Sequence, residues 1–130
     1  MRNILKTLLV AGVAIAAGTA SAAPQPEERL ARMLEGRVAG NPVSCINQRD
    51  IRSSEIIDGT AIVYRVGSKL YVNRPRSGAS SLDRDHILVT RSFGTSQLCR
   101  IDTVRLVDRT AMFATGFVSL GEFVPYTRLK

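Results

Sequence analysis

The residues whose types are best suited to chemistry lie around His86, the only histidine in the chain. Asp83 and Asp85 precede it, and an imidazole beside a carboxylate is able to act as a general acid or base. Two tyrosines and two arginines would complete a group of residue types that are used in phosphodiester or acyl chemistry. These are Tyr71, Tyr126, Arg74 and Arg76. A single histidine at the start of a strand is more often a surface or packing residue, so we assign no catalytic residue.

Sequence patterns typical of catalytic sites are missing around these residues. The serines of segment 77–81 lack the nucleophile-elbow pattern and its strand-to-helix context. No phosphate-binding glycine loop is present, and the aspartates have no second histidine with which to form a metal cluster. We therefore expect a protein without an enzymatic activity, a cofactor or a metal site.

A second candidate site is a Gly/Ser-rich loop between arginines. Arg74, Arg76 and Arg84 bracket this loop, and His86 follows it. Guanidinium groups form bidentate hydrogen bonds with phosphate and carboxylate, and the N–H groups of the loop would face the same anion. The sequence therefore predicts a weak anion-binding site at these four residues. The alternative is that Pro75 stiffens the loop and that the arginines are solvated.

The charge balance indicates which partners to expect. The chain has 18 Lys and Arg against 11 Asp and Glu, and its net charge is +7. Such a surplus attracts anionic partners, so we expect an anionic envelope component or an envelope protein, unless the charge serves only solubility. Nucleic acid is not the expected partner, because aromatic residues make up only 5% of the chain and Trp is absent.

The N-terminal segment has the three parts of a secretory signal peptide. Arg2 and Lys6 form a basic start, residues 8–17 are apolar, and small residues lead to Ala22. The apolar run is shorter than the roughly 20 residues that a membrane-spanning helix needs, which disfavours an uncleaved anchor. We predict cleavage after Ala22 and a periplasmic or secreted protein that does not span the membrane after cleavage. The predicted division is a signal peptide over 1–22 and a single small β-rich domain over 23–130.

The two cysteines favour one structural disulfide, Cys45–Cys99. Thiols oxidise outside the cytoplasm, and only one intramolecular pair is possible. By the chain-entropy estimate, closing so long a loop stabilises the fold by roughly 4 kcal/mol. A redox couple or half of a metal site is the alternative, but the wide spacing differs from a CxxC motif and zinc usually needs four ligands.

Each cysteine also begins a similar stretch of sequence. The stretch from Cys45 to Val66 and the stretch that starts at Cys99 both pass an aspartate, then end in two aliphatic residues, Asp, one free position, Thr, Ala and an apolar residue. We interpret them as two strand–turn–strand units that the disulfide joins. Asp58 and Asp108 recur at the turn, where we expect their side chains to bond nearby backbone groups.

Local signals give the other elements. A proline followed by two glutamates opens a short amphipathic helix of about three turns that stops at Gly36. Residues 37–44 are expected to form a loop, and Gly67-Ser68 a two-residue hairpin turn of type II′. Residues 98–107 are predicted as one long strand, and a tail is predicted from Pro125.

The alternation of apolar residues supports a mainly β (α+β) fold. Residues 60–66 alternate as a strand with one buried face, and about seven short strands follow the helix. The predicted fold is a short N-terminal helix followed by a small antiparallel sheet or barrel-like domain with one disulfide.

Four segments carry a resemblance to a known family. They are CINQRDIRSSEIIDGTAI, KLYVNRPRSGASSLDRD, LCRIDTVRL and GFVSLGEFVPYT. Together they resemble a family of short exported proteins of unknown function from sphingomonads and related proteobacteria, over the span from Cys45 to Thr127. The resemblance implies a periplasmic or secreted location and no established activity, and no catalytic residue is carried over.

The expected function is therefore a non-catalytic envelope binding or interaction module. The alternative is a weak binder of phosphate or polysaccharide, or a hydrolase, that uses the region of Arg74, Arg76 and His86.

Overall fold

The computed structural model describes residues 11–15, 18 and 24–129. The predicted cleavage site after Ala22 and most of the predicted signal peptide lie outside the described residues. In the described part of the chain, one helix precedes antiparallel sheets, and a disulfide is present. The predicted fold class, mainly β with a short N-terminal helix and one disulfide, is confirmed. Among the same residues, no helix is long and apolar enough to cross a membrane.

Helix α1 spans Pro26–Met33. The strands of the described residues, in chain order, are β1 (Arg37–Ala39), β2 (Cys45–Asn47), β3 (Ile51–Ile57), β4 (Ala61–Val66), β5 (Lys69–Asn73), β6 (His86–Thr90), β7 (Gln97–Cys99), β8 (Thr103–Asp108), β9 (Ala114–Ser119) and β10 (Phe123–Arg128). Single 3₁₀ turns at Gln48–Asp50 and Ala79–Ser81 lie before β3 and between β5 and β6.

The strands pair into three antiparallel sheets. The five-stranded sheet has the order β1-β10-β5-β4-β3, the three-stranded sheet has the order β6-β8-β9, and β2 pairs with β7. An isolated antiparallel bridge pairs Ser77, in the segment after β5, with Ser119 of β9 on one side. On the other side, β3 and β6 are edge strands within the described residues. The predicted barrel-like arrangement is therefore an open one.

The five-stranded sheet lies between two apolar layers. On one face it packs against the three-stranded sheet, through Ile46, Ile56, Ile62, Tyr64, Leu82, Leu98, Val104, Leu106, Val118, Leu120 and Phe123. On the other face it packs against α1, through Leu30, Ile57, Ala61, Val63, Leu70 and Val72.

Strand β4 is buried on both of its faces. Ile62 and Tyr64 belong to the core between the sheets, whereas Ala61 and Val63 belong to the core under the helix. The prediction of a single buried face was therefore wrong for this strand. Alternation shows that a strand has two faces, but it does not show that a helix from elsewhere in the chain covers the second one.

Helix α1 docks through a narrow apolar stripe. It has eight residues, about two turns rather than the predicted three, with proline in its first turn and Glu27 and Glu28 beside it. Leu30 is buried against the sheet, and Met33 and Leu34 pack on the same cluster. The chain reverses at Gly36, whose φ of 72° is accessible to glycine at little cost.

The disulfide lies at the centre of the two repeated units. Cys45 and Cys99 face each other across β2 and β7, and the predicted bridge between them is present. Directly after it, the carboxylate of Asp102 accepts a hydrogen bond from the Cys99 N–H at 2.7 Å, and the Asp102 N–H donates to the Cys99 carbonyl at 2.9 Å. This turn divides the predicted long strand over 98–107 into β7 and β8.

Each unit contains the expected hairpin, but the two turns differ. In the first unit, Gly59 adopts a φ of 62° in a three-residue turn between Ile57 and Ala61. In the second unit, Arg109 stands in place of that glycine. The left-handed conformation occurs instead at Met112, with a φ of 59°, and β9 begins only at Ala114.

The two aspartates at these turns play different roles. Asp108 accepts hydrogen bonds from the N–H groups of Thr110 and Ala111 at 2.8 and 2.7 Å, as predicted. Asp58 was expected to do the same, but its carboxylate accepts the N–H of Arg84 at 2.8 Å. Asp58 therefore connects the segment around Arg84 to the β3–β4 turn by a hydrogen bond.

Both ends of the predicted domain contain unpredicted strands. Residues 37–44 were expected to be a loop, but Arg37–Ala39 pairs with β10 as strand β1. Pro125, where a tail was expected, lies inside β10, and its carbonyl accepts a hydrogen bond from the Gly40 N–H at 2.7 Å. The Gly67-Ser68 hairpin is confirmed, with β4 and β5 paired up to Val66 and Lys69 and a positive φ at Gly67.

A buried amide fixes the path of the chain between β9 and β10. Asn73 is fully buried; its Nδ2 donates to the Gly121 carbonyl at 2.8 Å and its Oδ1 accepts the Gly121 N–H at 2.9 Å. This pair of bonds, the amide clamp, imitates a pair of backbone bonds between two strands. A Cβ atom at position 121 would overlap the Arg74 carbonyl oxygen, so the clamp requires glycine there.

We expect Asn73→Ala to lower the free energy of unfolding by about 2 to 4 kcal/mol, because it leaves a buried N–H and a buried carbonyl without partners. Urea denaturation followed by circular dichroism measures the change. Asn41→Ala, at an exposed loop position, is the matched control and should stay within about 0.5 kcal/mol of the parent chain. A loss below about 1 kcal/mol for Asn73→Ala would contradict the assignment.

Candidate functional site

The four residues predicted to bind an anion line two different pockets. Arg74 and Arg76 line a pocket of about 440 Å³ between β5 and β10. Arg84 and His86 line a pocket of about 330 Å³ between β3 and β6. The structure therefore brings the predicted residues together in pairs and not as one site.

In the first pair, both guanidiniums already have partners within the protein. Arg74 donates to the two carboxylate oxygens of Glu27 at 2.8 and 3.1 Å. This bidentate bond lowers the pKa of Glu27 and raises that of Arg74. Arg76 donates from Nε to the Leu120 carbonyl at 2.8 Å. An anion at this pocket would have to compete with Glu27 for Arg74.

In the second pair, the arginine and the histidine also contact protein groups. Arg84 Nε lies 3.7 Å from a carboxylate oxygen of Asp58. His86 Nε2 lies 3.4 Å from the Thr115 hydroxyl, and its Nδ1 is buried without a hydrogen-bond partner in the described residues. Asp108 stands opposite His86 across β6 and β8. Its pKa is lowered mainly by the N–H groups of Ala111 and Thr110 and less by the charge of His86.

The other residues considered for acid–base chemistry do not gather around His86. The Asp83 carboxylate accepts the Asp85 N–H at 2.9 Å and so closes a local turn. Tyr71 and Tyr126 belong to the five-stranded sheet and line other pockets than the one that contains His86. Within residues 11–15, 18 and 24–129, no cluster of three or more His, Cys, Asp or Glu side chains is arranged to hold a metal ion.

A surface that we did not predict from the sequence lies on the outer side of the three-stranded sheet. The register places Val89, Arg105 and Phe117 side by side across β6, β8 and β9. Inward-facing neighbours such as Val104 and Val118 are fully buried, so this row faces away from the core. We call the outer surface the aromatic face; the residues that line its pocket of about 380 Å³ are Val89, Arg91, Phe93, Ile101, Asp102, Thr103, Arg105 and Phe117.

Large apolar side chains are exposed on and around this face. Phe93, Ile101 and Phe117 are 83%, 76% and 67% exposed. Met112 and Phe113 are also exposed, at the tip of the β8–β9 hairpin. Of the four phenylalanines in the chain, only Phe123 is buried. An exposed apolar patch is more informative than a single exposed apolar residue, because soluble domains usually bury such area.

Two arginines give the aromatic face a positive charge. Among the described residues, Arg91 and Arg105 have no carboxylate within salt-bridge distance. Asp102 is the one acidic residue among those that line this pocket, and its carboxylate already accepts the Cys99 N–H. The face therefore combines apolar side chains with unpaired positive charge.

The sequence contains a signal for this face. The alternation over residues 86–93 predicts a strand that has Val89, Arg91 and Phe93 on one side, but nothing local shows whether that side is inside or outside. We expected apolar residues to be buried and therefore missed the site. The partner residue Phe117 lies on another strand and reaches the same surface only through the register.

No protein-family profile, curated protein or solved structure matches this chain. The resemblance to short exported proteins stays a prediction. Several residues in its four segments have structural roles: Asn73 and Gly121 form the amide clamp, and Asp102 forms the turn after the disulfide.

The pair formed by Glu27 and Arg74 makes a small, pH-dependent contribution to stability. Both side chains are more than half exposed, so we expect it to stabilise the fold by less than ~1 kcal/mol at neutral pH. The folded-state pKa of Glu27 is lowered, so the contribution is present above the unfolded-state value of about 4.3 and disappears as the pH falls through the folded-state value.

The measurement is the free energy of unfolding of the parent chain and of Glu27→Gln between about pH 7 and pH 2. The difference should be constant above about pH 5 and shrink towards zero at the acid end. Glu35→Gln, an exposed position without a salt bridge among the described residues, is the control. A difference that persists at the acid end would contradict the ionic origin.

Proposed function

We propose that this chain is an exported, non-catalytic binding module of the cell envelope and that the aromatic face is its binding surface. One observation carries the proposal: Phe93, Ile101 and Phe117 are exposed together beside two arginines without acidic partners. Contiguous apolar patches on soluble domains commonly mark interaction sites. The partner should therefore offer both apolar surface and negative charge.

Export is supported by two independent features. The N-terminal sequence has the parts of a signal peptide that end at Ala22, and Cys45 is bonded to Cys99. Stable disulfides are rare in the cytosol and common in the periplasm and outside the cell. Mass spectrometry of the protein recovered outside the cytoplasm should give an N terminus at Ala23, and an N terminus at Met1 would contradict export by this signal.

The non-catalytic part of the proposal is supported by the occupation of the acid–base candidates. The Asp83 carboxylate accepts a backbone N–H group in a turn, and the tyrosines considered with His86 line other pockets. Anion binding or hydrolysis around Arg74, Arg76 and His86 stays a prediction. The bond between Arg74 and Glu27 makes that region the weaker candidate.

The test is co-sedimentation of the mature protein with envelope membranes isolated from a Gram-negative bacterium. We expect Phe93→Ser/Phe117→Ser to weaken binding by more than about tenfold, because even partial burial of two rings is worth more than ~1.4 kcal/mol. Val38→Ser/Leu129→Ser removes exposed apolar side chains elsewhere and should change binding less than about twofold.

A third variant separates the two candidate regions. Arg74→Ala/Arg76→Ala should bind envelope membranes as the parent does if the aromatic face is the binding surface. Loss of binding in this variant, with the Phe93→Ser/Phe117→Ser variant unaffected, would reject the aromatic face in favour of the arginine loop.

A further inference from the structure

We propose that the partner of the aromatic face is an anionic lipid surface, to which the chain attaches peripherally. The inference rests on the proposed function and names the class of ligand. Phe93, Ile101 and Phe117 would enter the boundary between headgroups and acyl chains, while Arg91 and Arg105 would bind lipid phosphates.

The lining of one pocket shows that these side chains lie on the same side of the sheet. Val89, Arg105 and Phe117 face outward in one row across β6, β8 and β9. Arg91 and Phe93, in the segment after β6, and Ile101, in the turn before β8, line the same pocket as that row. The face therefore continues from the centre of the sheet to the two loops at one end.

The shape of the face fits a broad, deformable partner better than a small ligand. The pocket beside Arg105 is about 380 Å³, near the lower end of small-molecule sites. The most exposed side chains, Phe93 and Ile101, lie at the end of the sheet, where a ligand confined to the pocket would leave most of their surface in water. A lipid surface would cover these loops and the centre of the sheet at the same time.

The arginines give the face its preference for anionic lipid. A guanidinium binds phosphate with two parallel hydrogen bonds, and its stem lies along apolar surface while the head stays in the polar layer. Arg105 stands between Val89 and Phe117 in the same row, so its charge reaches the headgroup depth where the neighbouring apolar groups enter the lipid. The net charge of +7, which becomes +5 when the predicted signal peptide with Arg2 and Lys6 is removed, would also draw the chain towards an anionic leaflet.

The absence of tryptophan from the sequence allows a direct test. Phe117→Trp places a single fluorophore on the face, and Leu129→Trp places one at an exposed position near the C terminus. Each variant is titrated with protein-free vesicles of phosphatidylglycerol in phosphatidylcholine, and with vesicles of phosphatidylcholine alone, at physiological salt. Lipids with brominated acyl chains report insertion by quenching.

We expect a blue shift and strong bromolipid quenching for Phe117→Trp on anionic vesicles, and at least fivefold weaker binding to neutral vesicles. Leu129→Trp should bind the same vesicles without a shift or quenching. Adding Arg91→Gln/Arg105→Gln to Phe117→Trp should weaken binding by about tenfold or more, whereas adding Lys69→Gln/Arg128→Gln, with the same change in charge on the five-stranded sheet, should weaken it by less than threefold.

Several results would overturn the lipid inference: no spectral change on either vesicle, equal binding to neutral vesicles, or equal quenching of both fluorophores. If the vesicles give no binding but envelope membranes still bind in a manner that depends on Phe93 and Phe117, the proposed function stands and the partner is another envelope molecule. If neither preparation binds, both proposals fail. A chain unfolded by the substitutions is recognised by its circular dichroism spectrum, and Phe117→Leu then replaces Phe117→Ser as the milder variant.

Discussion

The amide clamp between Asn73 and Gly121 determines how the strands are shared between the two larger sheets. In the first unit, β4 passes through a two-residue turn into β5, which is its neighbour in the sheet. In the second unit, β9 is followed by β10, but the clamp holds the link beside the end of β5 and β10 pairs with β5. The five-stranded sheet thereby gains β10 and β1, and helix α1 covers its outer face. No helix of the described residues covers the three-stranded sheet in the same way, and its outer side chains are exposed there.

The distribution of acids explains why many arginines in the described part of the chain, including two on this bare side, have no carboxylate partner. Several carboxylates are used as acceptors for backbone N–H groups, at Asp58, Asp83, Asp102 and Asp108. Others pair with arginines near the helix, as Glu27 does with Arg74 and Glu55 with Arg29. Because the chain has fewer acidic than basic residues, few carboxylates remain to pair with the other arginines. Arg91 and Arg105 are two of the described arginines that have no carboxylate partner.

Local chemistry made part of this structure predictable. A proline with two acids marks a helix start, Gly67 fits a tight hairpin, and two cysteines allow only one intramolecular pair. The failures concern relations between distant segments. The pairing of β1 with β10, the second buried face of β4 and the clamp at Gly121 all depend on residues far apart in sequence. The aromatic face was missed for the same reason. The alternation along β6 indicates that the strand has two faces, but it does not indicate which face the rest of the chain will cover.

The position of the disulfide has a consequence for the symmetry of the molecule. Cys45 and Cys99 occupy equivalent places in the two units, and they pair directly in antiparallel strands, so a local two-fold axis passes between them. A chain of half the length would contain one unit and one thiol. The strand that carries this thiol would pair with the same strand of a second copy, as in the interface of a symmetric homodimer. Because both units belong to one chain, they need not remain identical. The molecule resembles a covalent heterodimer in which both halves contribute to the core and the second half also presents the aromatic face.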